Sequence, residues 1–412
     1  MKVGLIGPPV KNIGIYNLNM PTRGGGEKLT LVLAEHLSRN HNVQLFHDAP
    51  LERKLLEDTF RVDLRMVKFT QLDRIGPPLR VLARLRGRRT PFSTHHYLQL
   101  KKLKLDLFIN VSHRSVLHCP AEKGIFVCMF PHDVDQDGLG DGAVRRGLSK
   151  LSGSIEQSLT GVDRRWLDSY GDIVAISKYS ADWVERLWER KAQVVYPPVD
   201  NMGPPSEKEN MILHVGRFTS SKAELQHHDK AQEFLLAAFC DMKQLHQEGW
   251  ELHFAGNVGS SADAKQLAES LVQKAAGLPV KFHFNVTFGE LRELYRRAAI
   301  YWHATGIGTD PNIYPARHEH FGITTVEAMS AGAVPVVINS GGQTETVTEA
   351  VDGFRWEDVA ELIQRTQQLA TDSALRDRLS HAAIESSRTF SREAFTVEMD
   401  RIIAQVLETI SA

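Results

Sequence analysis

Arg217 closes an apolar run at GRF (216–218), and Lys230 follows in HHDKAQ (227–232), at the start of an expected helix. Two fixed cations converging on a helix start would neutralise a diphosphate. Either one alone reads equally well as a surface charge. The segment 303–329, HATGIGTDPNIYPARHEHFGITTVEAM, holds Gly306, Gly308, Asp310, three histidines and the pair Glu319 and Glu327. A helix is expected to begin near Phe321 or Gly322, so the amides of its first turn, Ile323 included, form an anion site. Glu319 then stands just before that helix and Glu327 about a turn and a half inside it. Carboxylates so placed can receive hydroxyls, for example of a sugar and a ribose. A capping glutamate and a solvated helix-face glutamate would leave the same sequence trace.

The front half offers three more places. Gly24, Gly25 and Gly26 precede an expected helix, where backbone can approach a substrate closely. They form neither Gly-x-Gly-x-x-Gly nor a P-loop, which disfavours nucleoside triphosphate hydrolysis, and a plain flexible turn fits equally. In FPHDVDQDG (130–138), Asp133, Asp135 and Asp137 resemble the start of a calcium loop, but Val144 stands where its closing Glu is needed. Asp133 and Asp135 remain a candidate metal pair, and His132, at a strand end, a candidate active-site group or an ordinary loop histidine. The stretch RIGPPLRVLARLRGRR (74–89), with Lys101, Lys102 and Lys104, interleaves arginines with leucines. That is the chemistry of a helix drawn to anionic headgroups. The stretch has no aromatic stacking residues, which argues against nucleic acid as a partner. A solvated basic helix is the plainer alternative.

These residues need a scaffold, and the chain supplies a repeated pattern. KVGLIG (2–7), NVQLFH, LDLFINVS, GIFVCMF, DIVAIS and QVVYPPV read as strands separated by helical stretches. VVYPPVDNMGPPSEKEN breaks regular structure with four prolines. The pattern then restarts with MILHVGRF, WELHFAG, KFHFNV, AIYWHA, AVPVVIN and GFRW. The expected fold class is therefore α/β, two doubly wound halves in series over 1–198 and 199–391. A last helix, about 392–412, would pack back on the first half.

Composition narrows the function classes. The net charge of −1 hides a front half, 1–200, with 30 basic and 22 acidic residues (+8), and a back half with 19 and 28 (−9). The basic front half suits an anionic partner. Three cysteines, with no Cys-x-x-Cys pair, exclude a disulfide scaffold or zinc ribbon and suit a reducing compartment. MKVGLIGPPV lacks the apolar core of a signal peptide, and no run of 18 apolar residues occurs. The expected location is cytoplasmic, peripheral at the inner face of a membrane.

Taken in order, GRF, HxKxQ, YWHATGIG, EHFGITTVEAM as Glu-x7-Glu, and GAVPVVINSGGQTETV resemble the motifs of glycosyltransferase family 4. The resemblance covers most of the chain and extends loosely to the glycine-rich loop, FPH, and ISKYSADWV leading to VVYPPVD. That last stretch resembles the lipid-linked mannosyltransferases of the family. The resemblance implies a GT-B fold, two Rossmann-like domains facing across a cleft that closes to exclude water. It implies a retaining transfer of a hexose, mannose first and a UDP-hexose next, from a nucleotide-diphosphate sugar to a glycan or lipid-linked acceptor, with no cofactor and no metal. Arg217 and Lys230 would hold the diphosphate, and Glu319, Phe321, Gly322 and Ile323 the donor sugar and leaving phosphate. Glu327 would take the ribose, Asn285 and Val286 the base. Gly25 and Gly26 would approach the donor or acceptor, and His132 would face the sugar. In many relatives the histidine precedes the aromatic–proline pair, where this chain has Cys128 and Met129. A phosphorylase or epimerase of the same fold, and a non-catalytic nucleotide-sugar-binding protein, are the competing readings.

Overall fold

The computed structural model describes residues 9–73, 90–132, 165–219 and 230–408. The chain divides into two units. One holds Met1–Ile176, Ser180–Val195 and Thr396–Ala412, the other Ser177–Tyr179 and Tyr196–Phe395.

The first unit is built on a parallel sheet of β1 (Asn12–Tyr16), β2 (Asn42–His47), β3 (Lys68–Gln71), β4 (Leu107–Asn110), β5 (Gly124–Cys128), β6 (Asp172–Ala175) and β7 (Gln193–Val194), in the order β3-β2-β1-β4-β5-β6-β7. β4 and β5 are buried along their whole length, as covered parallel strands must be. KVGLIG lies outside the described residues, and the strand leading into the glycine-rich loop is NIGIY instead. Asn12, Gly14 and Asn17 give that segment the look of a loop, yet Ile13 and Ile15 are fully buried and pair with Val43 and Leu45. β3 carries no sequence signal, because KFTQ is a half-exposed edge strand.

The Gly25–Ser38 helix follows, with Leu29, Val32, Leu33 and Leu37 buried as their spacing requires. Glu27 accepts hydrogen bonds from the Gly24 amide and the Thr22 hydroxyl, both at 2.7 Å. This fold-back of Glu27 onto the Gly24 amide starts the helix earlier than the sequence suggests. Gly25 and Gly26 are thus its first turn, and only Gly24 precedes it.

The second unit has a parallel sheet of β8 (Glu209–Val215), β9 (Glu251–Gly256), β10 (Val280–Phe284), β11 (Ala298–His303), β12 (Val334–Ile338) and β13 (Phe354–Trp356), in the order β10-β9-β8-β11-β12-β13. Trp250, Trp302 and Trp356 fill its core, and the Trp302 indole donates to Thr366 Oγ1 at 2.9 Å. The helix expected to start at Lys230 begins at Gln232 and is followed by a second, short one, the two being Gln232–Cys240 and Lys243–Gln247.

The last helix, Arg392–Glu408, starts in the second unit and runs into the first. Within the first unit, His36 Nε2 lies 2.8 Å from Asp400 Oδ2, and Arg401 donates to Gln193 Oε1 at 3.1 Å.

Candidate active site

β8 is flanked by β9 on one side and β11 on the other, so the second sheet grows in opposite directions from the β8–β11 pair. Loops leaving the carboxyl ends of two such strands part from each other and open a crevice, the usual ligand site of an open α/β sheet. One loop here leads to Gln232–Cys240 and the other to Ile323–Ser330.

Those two loops bring Lys230 and Glu319 together. The Lys230 ammonium donates to Glu319 Oε2 at 2.6 Å, with side chains 18% and 17% exposed. A pair this shaded keeps more of its Coulomb attraction than a surface bridge, yet a ligand can reach it. Gly216, at the exit of β8, makes the approach possible. A Cβ there would lie 3.0 Å from both Lys230 Cγ and His214 Nε2.

His303, the last residue of β11, points at the same carboxylate, its Nε2 3.1 Å from Glu319 Oε2. Burial lowers its pKa, and the Glu319 carboxylate pulls the other way. His214 on β8 is fully buried, with Nδ1 3.0 Å from the Trp302 carbonyl and its pKa lowered to about 3 by desolvation. Two neutral imidazoles therefore floor the charged pair.

Ile323–Ser330 begins at Gly322, whose φ of +101° belongs to glycine. A Cβ at Gly322 would come within 2.4 Å of Gln343 Nε2. The Gly342 amide donates to the Glu319 carbonyl at 2.7 Å, locking the 319–322 turn against the loop after β12. His318 braces the same turn, its Nδ1 2.6 Å from Ser340 Oγ and its Nε2 3.1 Å from Thr309 Oγ1. The first-turn amides of Ile323–Ser330 thus follow Glu319 directly, through the turn that the Gly342 amide holds. Glu327 is buried in that helix, where Oε2 accepts the Tyr295 hydroxyl at 3.0 Å. Burial and that carboxylate raise Tyr295, which stays a phenol.

The other expected residues take other places. Arg217 is exposed, and its carbonyl accepts from Gln232 Nε2 at 3.1 Å. Asn285, left-handed at φ +53°, follows β10 and accepts the Val258 amide at 3.0 Å through Oδ1, with half-buried Val286 next to it. These two stand at the carboxyl edge of the same sheet. Gly25, Gly26 and His132 belong to the first unit and are described within it. Gly26 lies against Met129, 3.5 Å from where its Cβ would be. His132 is packed among aromatics, stacked on Trp166 at 6.1 Å and edge-on to Trp188 at 5.7 Å, and its carbonyl accepts the Trp188 indole N–H. Asp133, Asp135 and Asp137 lie outside the described residues. Among the described residues, no group of three or more His, Cys, Asp or Glu is placed to hold a metal ion.

Residue reading alone passes over His303, His214, Gln343 and Tyr295. The available signals are a histidine next to last in the otherwise apolar AIYWHA and another inside MILHV.

Comparison with known proteins decides the family. Residues 23–201 match the model of "Glycosyltransferase Family 4", and 201–386 that of "Glycosyl transferases group 1". The chain belongs to glycosyltransferase family 4. This family 4 chain is 27% identical over 207 residues to the GDP-Man:Man(3)GlcNAc(2)-PP-Dol alpha-1,2-mannosyltransferase of Xenopus tropicalis, which covers 47% of it and 39% of that relative. It is 27% identical over 276 residues to a glycogen synthase of Thioalkalivibrio sulfidiphilus, covering 63% and 50%. The match thus spans half or less of the length of these curated relatives. The GT-B fold is shared with Anabaena HepE, solved with UDP-glucose, at TM-score 0.65 and 14% identity over 96% of this chain and 100% of that one. Among the described residues, no helix is long and apolar enough to cross a membrane.

Proposed function

We propose that this family 4 chain is a retaining hexosyltransferase, moving mannose from GDP-mannose to a hydroxyl of a glycan or lipid-linked acceptor without a metal ion. The observation that carries the reading is the Lys230–Glu319 pair in the turn before the Gly322 helix start, at the point where the strand order of the second sheet reverses. Breaking the anomeric C–O bond leaves a positive sugar and adds negative charge to the diphosphate. Lys230, Arg217 and the amides of Phe321, Gly322 and Ile323 stabilise that charge as it develops. Glu319 takes a sugar hydroxyl, Glu327 the ribose hydroxyls, and Asn285 and Val286 flank the base. The acceptor oxygen bonds to the anomeric carbon on the face the phosphate leaves, and its proton goes to the departing phosphate oxygen. Gly25 and Gly26 offer close backbone approach from the first unit. His132, whose ring packs against Trp166 and Trp188, is the first-unit group proposed to face the donor sugar.

Mannose is supported by the names of the mannosyltransferase relatives. The glycogen synthase likeness supports a second reading, a UDP-hexose donor. The basic stretch 74–104 supports an anionic membrane surface as the place of work. Residues 74–89 lie outside the described residues, and Lys101, Lys102 and Lys104 are exposed. Binding to anionic vesicles that weakens with salt is expected, and equal binding to neutral vesicles would count against it.

The deciding experiment incubates the protein with GDP-mannose, UDP-glucose or UDP-GlcNAc, with and without EDTA, and measures released nucleotide. GDP-mannose should turn over fastest and be indifferent to EDTA. Binding without turnover of any donor would favour a non-catalytic protein. Loss of turnover in EDTA would overturn the metal-free mechanism and bring back Asp133 and Asp135.

A further inference from the structure

Glu319 Oε2 is approached by two different groups, the Lys230 ammonium at 2.6 Å and His303 Nε2 at 3.1 Å. In the reading above, Lys230 also serves the diphosphate. An ammonium that turns toward phosphate gives up part of its hold on the carboxylate. His303 has no second task. It ends β11, is 1% exposed, and its Nδ1 is buried without a hydrogen bond.

That unmet Nδ1 identifies the tautomer. A proton on Nδ1 would leave a buried donor unsatisfied and set the Nε2 lone pair against a carboxylate oxygen. A proton on Nε2 is donated to Glu319 and leaves only an unmet acceptor, the cheaper defect. Burial keeps the ring neutral. His214 cannot substitute, because its Nδ1 is committed to the Trp302 carbonyl.

We propose that His303 is a positioning residue whose Nε2–H holds the Glu319 carboxylate on the donor sugar while Lys230 engages the diphosphate. The inference rests on the proposed function. It also makes a demand that function alone does not. The sugar-bearing ligand needs an aimed Glu319, whereas the free nucleotide diphosphate does not.

The test measures calorimetric binding of GDP, GDP-mannose, UDP and UDP-glucose to the full chain, as wild type, His303→Leu and His303→Gln. The glutamine amide has nearly the reach of the imidazole and keeps a donor. His303→Leu should weaken the sugar nucleotide about tenfold more than the matching nucleotide diphosphate, and His303→Gln should restore most of that difference. Equal weakening of both ligands, or no change in either, would overturn the role. A wild type that binds none of the four sinks the functional reading. With no nucleotide bound the positioning role falls too, whereas if only His303→Leu fails, by having no cooperative melt, ring-nitrogen NMR of the wild type decides, with the His303 signal assigned by its loss in His303→Gln. An Nε2–H tautomer supports the positioning role, and an Nδ1–H tautomer ends it.

Discussion

At the scale of single residues, Lys230 donates to Glu319, and the proposed function gives it a phosphate as a second partner. Lys230→Ala should lower turnover at least a hundredfold, since it removes charge stabilisation of about 3 kcal/mol from the transition state. A near-normal rate in a released-nucleotide assay would place the diphosphate elsewhere. The same substitution leaves the Glu319 carboxylate half-shaded without its cation, so the melting temperature should fall as well. The two effects separate in a double variant. Lys230→Met with Glu319→Gln removes both charges and should melt above either single variant, while turnover stays low. Recovery of activity along with stability would mean that the pair is structural.

At the scale of elements, helix ends carry the argument. Gly322→Ala must place a Cβ at φ +101° and against Gln343 Nε2. The expected cost is about 1–3 kcal/mol in urea unfolding, with weaker nucleotide binding because the first turn shifts. Unchanged binding in a destabilised variant would uncouple that helix start from the ligand. A second device lies at two helix C-termini. Lys208 Nζ donates to the Ala298 carbonyl at 2.8 Å and the Ala331 carbonyl at 2.7 Å, ending Phe288–Arg297 and Ile323–Ser330 together. Burial, with Arg296 nearby, lowers its pKa to about 7. Below pH 7 the lysine is charged in both folded and unfolded chains, and the desolvation penalty is complete. Between about 7 and its ordinary 10.5 the unfolded chain binds more proton, so stability rises with pH. The melting-temperature difference between wild type and Lys208→Met should therefore move in favour of the wild type from pH 6.5 to 9. A difference independent of pH would contradict the shift.

At the scale of the molecule, the first unit is discontinuous in sequence and needs the end of the chain. Met399, Ile402, Ile403 and Val406 are at most 5% exposed on the Arg392–Glu408 helix, and each is worth about 1.5–3 kcal/mol of burial. A chain ending at Phe395 should lose stability in the first unit while the second, whose tryptophan core is its own, still unfolds cooperatively. Denaturant unfolding followed by tryptophan fluorescence and far-UV dichroism distinguishes this from a uniform loss of stability.

Much of this was legible in the residues. Alternation of apolar runs with helical periods gave the two α/β halves, because covered parallel strands need uninterrupted apolar sequence. The helix start at Gly322 and the places of Glu319 and Glu327 followed from local spacing. NIGIY looks like loop because Asn and Gly mark turns wherever no partner strand is in view, and KFTQ gives no signal because an edge strand has no apolar face to declare. The first-turn position of Gly25 and Gly26 depends on Glu27 folding back on Gly24, a choice invisible in a list of glycines.

By itself, then, the sequence determined the local periods, the chain breaks and the order of the chemistry-bearing residues, since these depend on near neighbours. Only the tertiary structure decided that Lys230, 89 positions before Glu319, shares the Oε2 of that carboxylate with His303. Strand order makes that choice. The β8–β11 adjacency is a long-range pairing, and no spacing along the chain encodes which strand ends will meet.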